Sequence, residues 1–224
     1  MKPTIETDQY TLYLADCMDV LPTLEGVDAV VADPPYGIGY KPQGHATSGS
    51  KALRSFSPAD QLIGDTGKLD FDPRPWLELG GKQVWWGANY YANKLPNAKG
   101  WLCWFKARGM ESTNFSAAEM AWTTLPNAVR ALDFRWMGVI RDADNSSPSL
   151  HPTQKPIQVM RWCIELCDLP PNSLILDPFM GSGTTGVAAI ELGHRFIGIE
   201  IDPEYFETAH KRIKHAASQR RMFA

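Results

Sequence analysis

Two short stretches of this chain bring together residue types that can do chemistry. The first is Asp33-Pro34-Pro35-Tyr36, which follows the apolar run Val27–Ala32 directly. Proline fixes φ and removes a backbone donor. Asp33 and the Pro34 carbonyl are therefore left as rigidly held acceptors. Two such acceptors suit an exocyclic amine on a heteroaromatic base, a poor nucleophile because its lone pair is delocalised into the ring. Accepting both N–H bonds shifts the nitrogen toward tetrahedral geometry and concentrates the lone pair for in-line attack on a methyl sulfonium. Tyr36 would stack on a base taken out of a duplex. The structural alternative is a plain Asp-Pro-Pro turn.

The second stretch is Asp177-Pro178-Phe179-Met180-Gly181-Ser182-Gly183-Thr184-Thr185, with Glu200 at the end of the next apolar run. A Gly-rich turn between a strand and a helix lets the backbone approach a ligand at the carboxyl edge of a sheet. A carboxylate at Glu200 can accept hydrogen bonds from ribose hydroxyls, so the pair describes a site for a nucleoside-bearing cofactor. A phosphate loop would require Gly-Lys-Ser/Thr, and Gly183 is followed by Thr184 instead. Gly181–Gly186 matches G-x-G-x-x-G, the dinucleotide spacing, which leaves the cofactor open at this level. A Gly-rich turn that serves only helix–strand packing is the alternative.

The elements that must position these stretches read as an α/β pattern. Ser173–Asp177 is a strand, Pro178–Gly183 a turn and Thr184–Leu192 a helix with Gly193 as its cap. Phe196–Glu200 is the next strand and Pro203–His215 a final helix, which completes a β-α-β unit in a mainly parallel sheet. Upstream, Gln9–Ala15 alternates like a strand, Met18–Leu24 reads as a short helix, and Val27–Ala32 as a buried parallel strand. Further strands are expected at Gln83–Trp86, Trp101–Phe105 and Ala117–Thr123, and helices at Tyr90–Leu95 and Pro156–Leu166. Residues 37–72 are rich in Gly, Ser, Lys, Pro and Asp and read as one long polar loop, a DNA-contacting or disordered segment.

Composition bounds the class. The 224 residues suit one domain, and 44% hydrophobic with 21% charged residues is the balance of a globular protein. No apolar run approaches the ~20 residues of a membrane span. The N-terminus lacks a signal-peptide pattern, so the cytoplasm is the default compartment. Cys17, Cys103, Cys163 and Cys167 lack neighbouring ligands at metal spacing and read as structural thiols. With a net charge of −3, any nucleic-acid surface must be a local basic patch.

Asp33–Tyr36 resembles the catalytic motif of the amino-group DNA methyltransferases, and Asp177–Thr185 resembles their cofactor motif. His151-Pro152-Thr153-Gln154-Lys155-Pro156 is similar to the segment these enzymes carry before the cofactor strand. The order of the three is that of the permuted β group. The resemblance, closest to small phage- or prophage-type adenine methyltransferases, covers most of the chain. It implies a Rossmann-like S-adenosylmethionine-dependent methyltransferase fold with helices on both faces of the sheet. It also implies methyl transfer from S-adenosyl-L-methionine to adenine N6 of a flipped-out base in double-stranded DNA, without a metal. Enzymes of this group often work as dimers and in restriction–modification.

The same resemblance assigns residues. Asp33, Pro34, Pro35 and Tyr36 would be catalytic. Asp177, Phe179, Gly181, Gly183 and Thr184 would shape the cofactor pocket, Glu200 would hold the ribose, and His151, Thr153 and Lys155 would lie near the methionine end. Asp16 matches the position that contacts the cofactor's adenine; its alternative role is a helix N-cap. Aspartate at the first catalytic position accompanies adenine chemistry within the family, where serine accompanies cytosine N4. Cytosine-N4 or RNA-base transfer would use the same chemistry. A non-catalytic nucleic-acid-binding protein on this fold is the reading from another class.

Many relatives insert a target-recognition domain between catalytic and cofactor motifs, and little chain is left for one here. Target contact then falls to Lys41, His45, Lys51 and Arg54 in the polar loop, with Arg108, Arg130, Arg135 and Arg141. Trp85, Trp86, Tyr90, Tyr91, Trp101 and Trp104 read mainly as core. The basic run Lys211, Arg212, Lys214, Arg220 and Arg221 reads as a helix end complementing its dipole.

Overall fold

The structure is a computed structural model that describes residues 1–39, 65, 67–68, 70–79, 81–107, 116–125, 128–137, 140–141 and 154–223. His151, Thr153, Lys41, His45, Lys51, Arg54 and Arg108, most of the 37–72 loop, and the side chain of Arg141 lie outside the described residues.

Among the described residues, nine strands form one sheet. In chain order the main-sheet strands are β1 (Ile5–Glu6), β2 (Tyr10–Leu14), β3 (Ala29–Ala32), β4 (Lys82–Trp86), β5 (Gly100–Phe105), β6 (Ala118–Thr123) and β7 (Val129–Asp133), with β10 (Leu174–Asp177) and β11 (Arg195–Glu200) closing the chain's contribution. Between them, β8 (Trp136–Met137) and β9 (Ile140–Arg141) pair as a separate ribbon. The order across the main sheet is β1-β2-β11-β10-β3-β4-β6-β5-β7. Strands β2, β11, β10, β3 and β4 run parallel. Strand β6 runs against both β4 and β5. That reversal brings the start of β6 to the edge where the parallel strands end.

The helices are α1 (Cys17–Val20), α2 (Arg74–Leu77), α3 (Ile157–Leu166), α4 (Thr184–Glu191) and α5 (Pro203–Phe223). Side chains alternate across a strand, and the buried strands divide accordingly. Leu12, Val31, Val84, Trp86, Ile175 and Phe196 face the core under α3, α4 and α5. Tyr13, Val30, Trp85, Leu176 and Ile199 face the second core, with Val20 and Trp76 of α1 and α2. Both faces of the sheet are covered, as continuous apolar strands such as Ala29–Ala32 require. Fully burying one such Val or Ile contributes roughly 1.5–3 kcal/mol. The expected α/β sheet with helices on both faces is the fold observed.

Several elements differ from the sequence reading. Tyr90–Leu95 is not an α-helix but part of two 3₁₀ turns, Ala88–Tyr90 and Ala92–Lys94, separated at Tyr91 with φ −135°. The Met18–Leu24 helix is shorter, α1 passing at Leu21 into a 3₁₀ turn. The last helix runs on to Phe223, so Lys211, Arg212 and Lys214 lie in its middle rather than at its end. Strands β1 and β7 and helix α2 carried no apolar run long enough to be read. Trp85, Trp86, Tyr91 and Trp104 are buried as core, whereas Tyr90 and Trp101 are half-buried. Cys163 and Cys167 are buried, Cys17 and Cys103 only partly, and all four thiols are free. Among the described residues no helix is long and apolar enough to cross a membrane.

Candidate active site

The carboxyl ends of β3 and β10 are adjacent, and both motifs leave the sheet there. Asp33 is the first residue beyond β3. Tyr36 turns back over it, and its hydroxyl donates to Asp33 Oδ1 at 2.6 Å. The Tyr36 ring stacks on Tyr90 with centroids 5.4 Å apart, so one of its faces is already covered. Its edge abuts Gly87, where a side-chain carbon would stand 2.1 Å from Tyr36 Cε1. Gly87 also has φ +70°, a region that costs an L-residue strain. Gly87→Ala is expected to displace the Tyr36 ring, destabilise the fold by about 1–3 kcal/mol and slow turnover, with cofactor affinity kept. A melt and a turnover assay on the same preparation check this; unchanged turnover would mean that transfer does not depend on where Tyr36 sits.

Lys155 precedes α3, whose N-cap Pro156 holds an extended conformation. The lysine enters the same corner, with its Nζ 2.6 Å from Asp33 Oδ1, 2.8 Å from the Tyr36 hydroxyl and 2.9 Å from Glu119 Oε2. Glu119 sits near the start of β6 and is held in turn by Lys106 at 2.6 Å. The Lys155 side chain is only 5% exposed. Sequence reasoning placed Lys155 near the methionine end of a cofactor. The structure joins it to Asp33, and adds Glu119 and Lys106, which sequence reasoning missed. The available signal was a single carboxylate inside an otherwise apolar strand, Ala118–Thr123.

Charge in this corner is unevenly shared. Burial pushes the Asp33 carboxyl up, Lys155 pulls it down and Glu119 pushes it up again. Burial also acts on Glu119, but Lys155 and Lys106 outweigh it and hold that carboxyl down at about 2. Burial lowers Lys155, and its two carboxylates more than compensate, so it stays a cation. Tyr36, lifted by burial and by Asp33, stays protonated. Glu119 is thus the firmly ionised partner of Lys155, and Asp33 the softer one.

The Gly-rich turn follows β10. Asp177 accepts from the Phe179 N–H at 3.0 Å and from the Thr185 hydroxyl at 2.6 Å, bracing the turn at both ends. Gly181 (φ +50°) and Gly183 (φ +79°) take left-handed conformations. A side chain at Gly183 would meet Ala209 of α5 at 2.9 Å. Thr184, buried, opens α4. Phe179 packs edge-on against Phe71 and Trp76. Glu200 accepts from the Gly181 N–H at 2.9 Å and from the Asp202 N–H at 2.8 Å, and so ties the turn to the end of β11. Arg212 of α5 reaches the same turn, donating to the Ser182 carbonyl and to its hydroxyl at 3.0 Å. Its expected role at a helix end gives way to bracing this turn. Asp16 caps α1, its carboxylate accepting from the Met18 N–H at 2.9 Å.

Burial pushes Asp177 up to about 7, against the hydrogen bonds that lower it. An acid whose folded value lies above its unfolded value near 4 takes up a proton on folding. Stability from this group is therefore greatest at low pH and falls as pH rises through that window, from about 4 to 7. Asp177→Asn is expected to make the fall of stability between pH 5 and pH 8 shallower. Urea unfolding at the two pH values tests it, and an unchanged slope would contradict the assignment.

A small cavity, about 50 Å³, joins the two motifs: Asp33 and Lys155 line one side, Asp177, Phe179, Gly181 and Thr184 the other. A larger cavity of about 400 Å³ lies by the opposite end of β4, lined by residues such as Gln83, Asn97, Lys99 and Trp122. That lining carries no carboxylate, histidine or cysteine, whereas the smaller cavity is lined by Asp33, Asp177 and Lys155. Among the described residues no group of three or more His, Cys, Asp or Glu could hold a metal ion.

A mainly parallel sheet in which β1 and β6 are reversed, a Gly-rich turn at its centre and a proline-held acid beside it define a Rossmann-like methyltransferase. Comparison with known proteins narrows the class. Residues 82–211 match the family model of N6/N4 methyltransferases, described as DNA methylase. The chain is 30% identical over 213 residues to the putative methylase YubD of Escherichia coli (strain K12), covering 92% of this chain and 90% of that one. It is 27% identical to the type II methyltransferase M2.LlaDCHI of Lactococcus lactis subsp. cremoris, over 97% of this chain and 94% of the relative. The solved complex of M1.HpyAVI with SAM superposes with a TM-score of 0.54 at 26% identity, over 91% of this chain and 99% of that one. The chain belongs to the N6/N4 DNA methylase family, as the three motifs led one to expect.

Proposed function

We propose that this protein transfers the methyl group of S-adenosylmethionine to adenine N6 in double-stranded DNA, on a base turned out of the helix. The observation that carries this reading is the cavity shared by Asp33 and the Gly-rich turn. An acceptor for an amine and a cradle for a nucleoside cofactor open into one space.

The residues fit the cofactor's chemistry. The enclosed part, about 50 Å³, has room for a small group such as the methyl-bearing sulfonium and is too small for the whole molecule. The nucleoside would lie along the open edge by Glu200 and Asp16, where Leu14, Met18 and Ile201 expose apolar surface. Asp33 and Glu200 put carboxylates beside a ligand that carries a positive sulfonium. When bound, S-adenosylmethionine supplies an electrophilic methyl group.

The chain's own residues do the rest. Asp33 accepts one N–H of the exocyclic amine and the Pro34 carbonyl the other, while Pro34 and Pro35 keep that corner from relaxing. Tyr36 holds the Asp33 carboxylate from one side. The proton that the amine loses on methylation passes to the Asp33 carboxylate, whose upward shift suits it to receive one. Desolvation of the corner strengthens these bonds relative to water.

With Asp33 as first catalytic residue, adenine is the expected base. The chain acts as one methyltransferase domain, and target contact falls to residues 37–72 together with the basic residues Arg130 and Arg135. Nucleoside analysis of DNA from a methylase-deficient host expressing the protein should show N6-methyladenine. N4-methylcytosine in its place would overturn the choice of base and leave the chemistry intact.

A further inference from the structure

The two oxygens of Asp33 are in different positions. Oδ1 accepts from the Tyr36 hydroxyl and from Lys155, each at 2.6 Å. Oδ2 is left open on the side of the cavity shared with the Gly-rich turn. An arriving amine therefore meets a free oxygen on a carboxylate whose other oxygen is already fixed. Lys155 has three N–H donors, and all three are engaged in this corner: by Asp33 Oδ1, by the Tyr36 hydroxyl at 2.8 Å and by Glu119 Oε2 at 2.9 Å. None is left over for a cofactor carboxylate, although the lysine lines the cavity. Glu119 gives its other oxygen, Oε1, to Lys106 at 2.6 Å. Charges thus alternate through four elements: Lys106 after β5, Glu119 on β6, Lys155 before α3 and Asp33 after β3. The Trp86 ring lies 5.2 Å from Nζ, a further favourable neighbour for a buried cation.

We propose that Lys155 is a positioning residue that fixes Asp33 through Oδ1, so that Oδ2 is the acceptor presented to the target amine, with Glu119 and Lys106 holding the lysine in place. The proposal rests on the reading of Asp33 as the acceptor for that amine. Orientation and charge are set by the same contact. The terminal torsion of an aspartate is broad, and two donors on one oxygen stop the carboxylate from turning. The lysine also lowers a carboxyl that burial and Glu119 raise. Tyr36, Tyr91, Cys163 and Asp177 are the other titratable groups that sense Asp33. Among the described residues, Lys155 is the cation in direct contact with it.

The test uses the full chain and reads methyl transfer to DNA at saturating cofactor, cofactor affinity and the pH–rate profile. Lys155→Met is expected to slow transfer at neutral pH by about 10- to 100-fold, the scale of one charge-assisted hydrogen bond. Cofactor affinity should stay within about 3-fold, since the bonds that shape the cofactor's turn are not touched. Loss of the cation raises Asp33, so the acid limb should move to higher pH by about one pH unit or more. Part of the lost rate should return as the pH is raised. Glu119→Gln acts on the same carboxyl with the opposite sign. It removes a like charge and leaves Lys155 its bonds to Asp33 and Tyr36, so its acid limb should stay in place or move to lower pH. The limb of the double variant should fall between those of the two single variants.

A Lys155→Met chain that loses cofactor affinity but keeps its rate and acid limb would make Lys155 a cofactor residue and overturn the proposal. So would a Glu119→Gln limb that moves to higher pH, a measurement that serves if the methionine variant folds poorly. If Asp33→Ala is inactive while Lys155→Met keeps the wild-type rate and profile, only the positioning role falls. A wild-type chain that transfers no methyl to any base would remove the reading of Asp33, and the proposal with it.

Discussion

Asp33→Ala should leave a protein that binds S-adenosylmethionine and does not methylate. The acid touches the cofactor's turn only through the shared cavity, and the hydrogen bonds that shape the turn belong to Asp177, Glu200 and Arg212. Cofactor affinity should therefore remain within a few-fold of wild type. Transfer should fall by at least about 10²–10³, the usual cost of one preorganised group at a reacting centre. The fold tolerates the change because Lys155 keeps Glu119 and Tyr36 as partners. Label transfer and calorimetric cofactor binding on one preparation separate the two effects. Full activity in this variant would remove the amine-acceptor mechanism.

Glu200→Ala should produce the opposite split. Its two oxygens hold the Gly181 and Asp202 N–H groups at 2.9 and 2.8 Å. A carboxylate offers about four acceptor positions, so two remain for ribose hydroxyls. Truncation removes both functions at once: the turn loses its tie to β11 and the ribose loses its acceptor. Hydrogen bonds to a charged group contribute roughly 1.5–3 kcal/mol, which predicts a rise in cofactor Kd of about 10- to 150-fold. Turnover at saturating cofactor should recover much of the wild-type rate. A Kd equal to wild type would place the ribose elsewhere.

The parts of this molecule legible in its sequence are those with local causes. Ala29–Ala32 and Leu174–Asp177 are apolar runs cut off by proline or glycine, and such punctuation marks both a strand end and a site. Asp177 through Thr185 reads as strand, turn and helix because its glycines permit what other residues resist. The parts that escaped depend on partners far away in the chain. Glu119 meets Lys155 only because β6 runs antiparallel and pairs Glu119 with Trp104. No spacing within Ala118–Thr123 announces that. Arg212 looked like the end of a helix because the polar run after it hid one more stretch of α5. Tyr90–Leu95 had apolar residues at helical intervals, but the chain arrives there through a left-handed Gly87 and leaves in two short turns. Asp16 shows the remaining difficulty: its cap of α1 is plain in the structure, and that bond is compatible with a second role at the cofactor's edge.

The central claim is that one cavity presents an activated base amine to a bound methyl sulfonium. It is tested most directly by incubating the purified chain with S-adenosylmethionine labelled in the methyl group and unmethylated duplex DNA, then separating the nucleosides. Label is expected in N6-methyladenine and is expected to be lost in Asp33→Ala. Label on a carbon atom of a base, or cofactor bound with no label entering DNA, would contradict it.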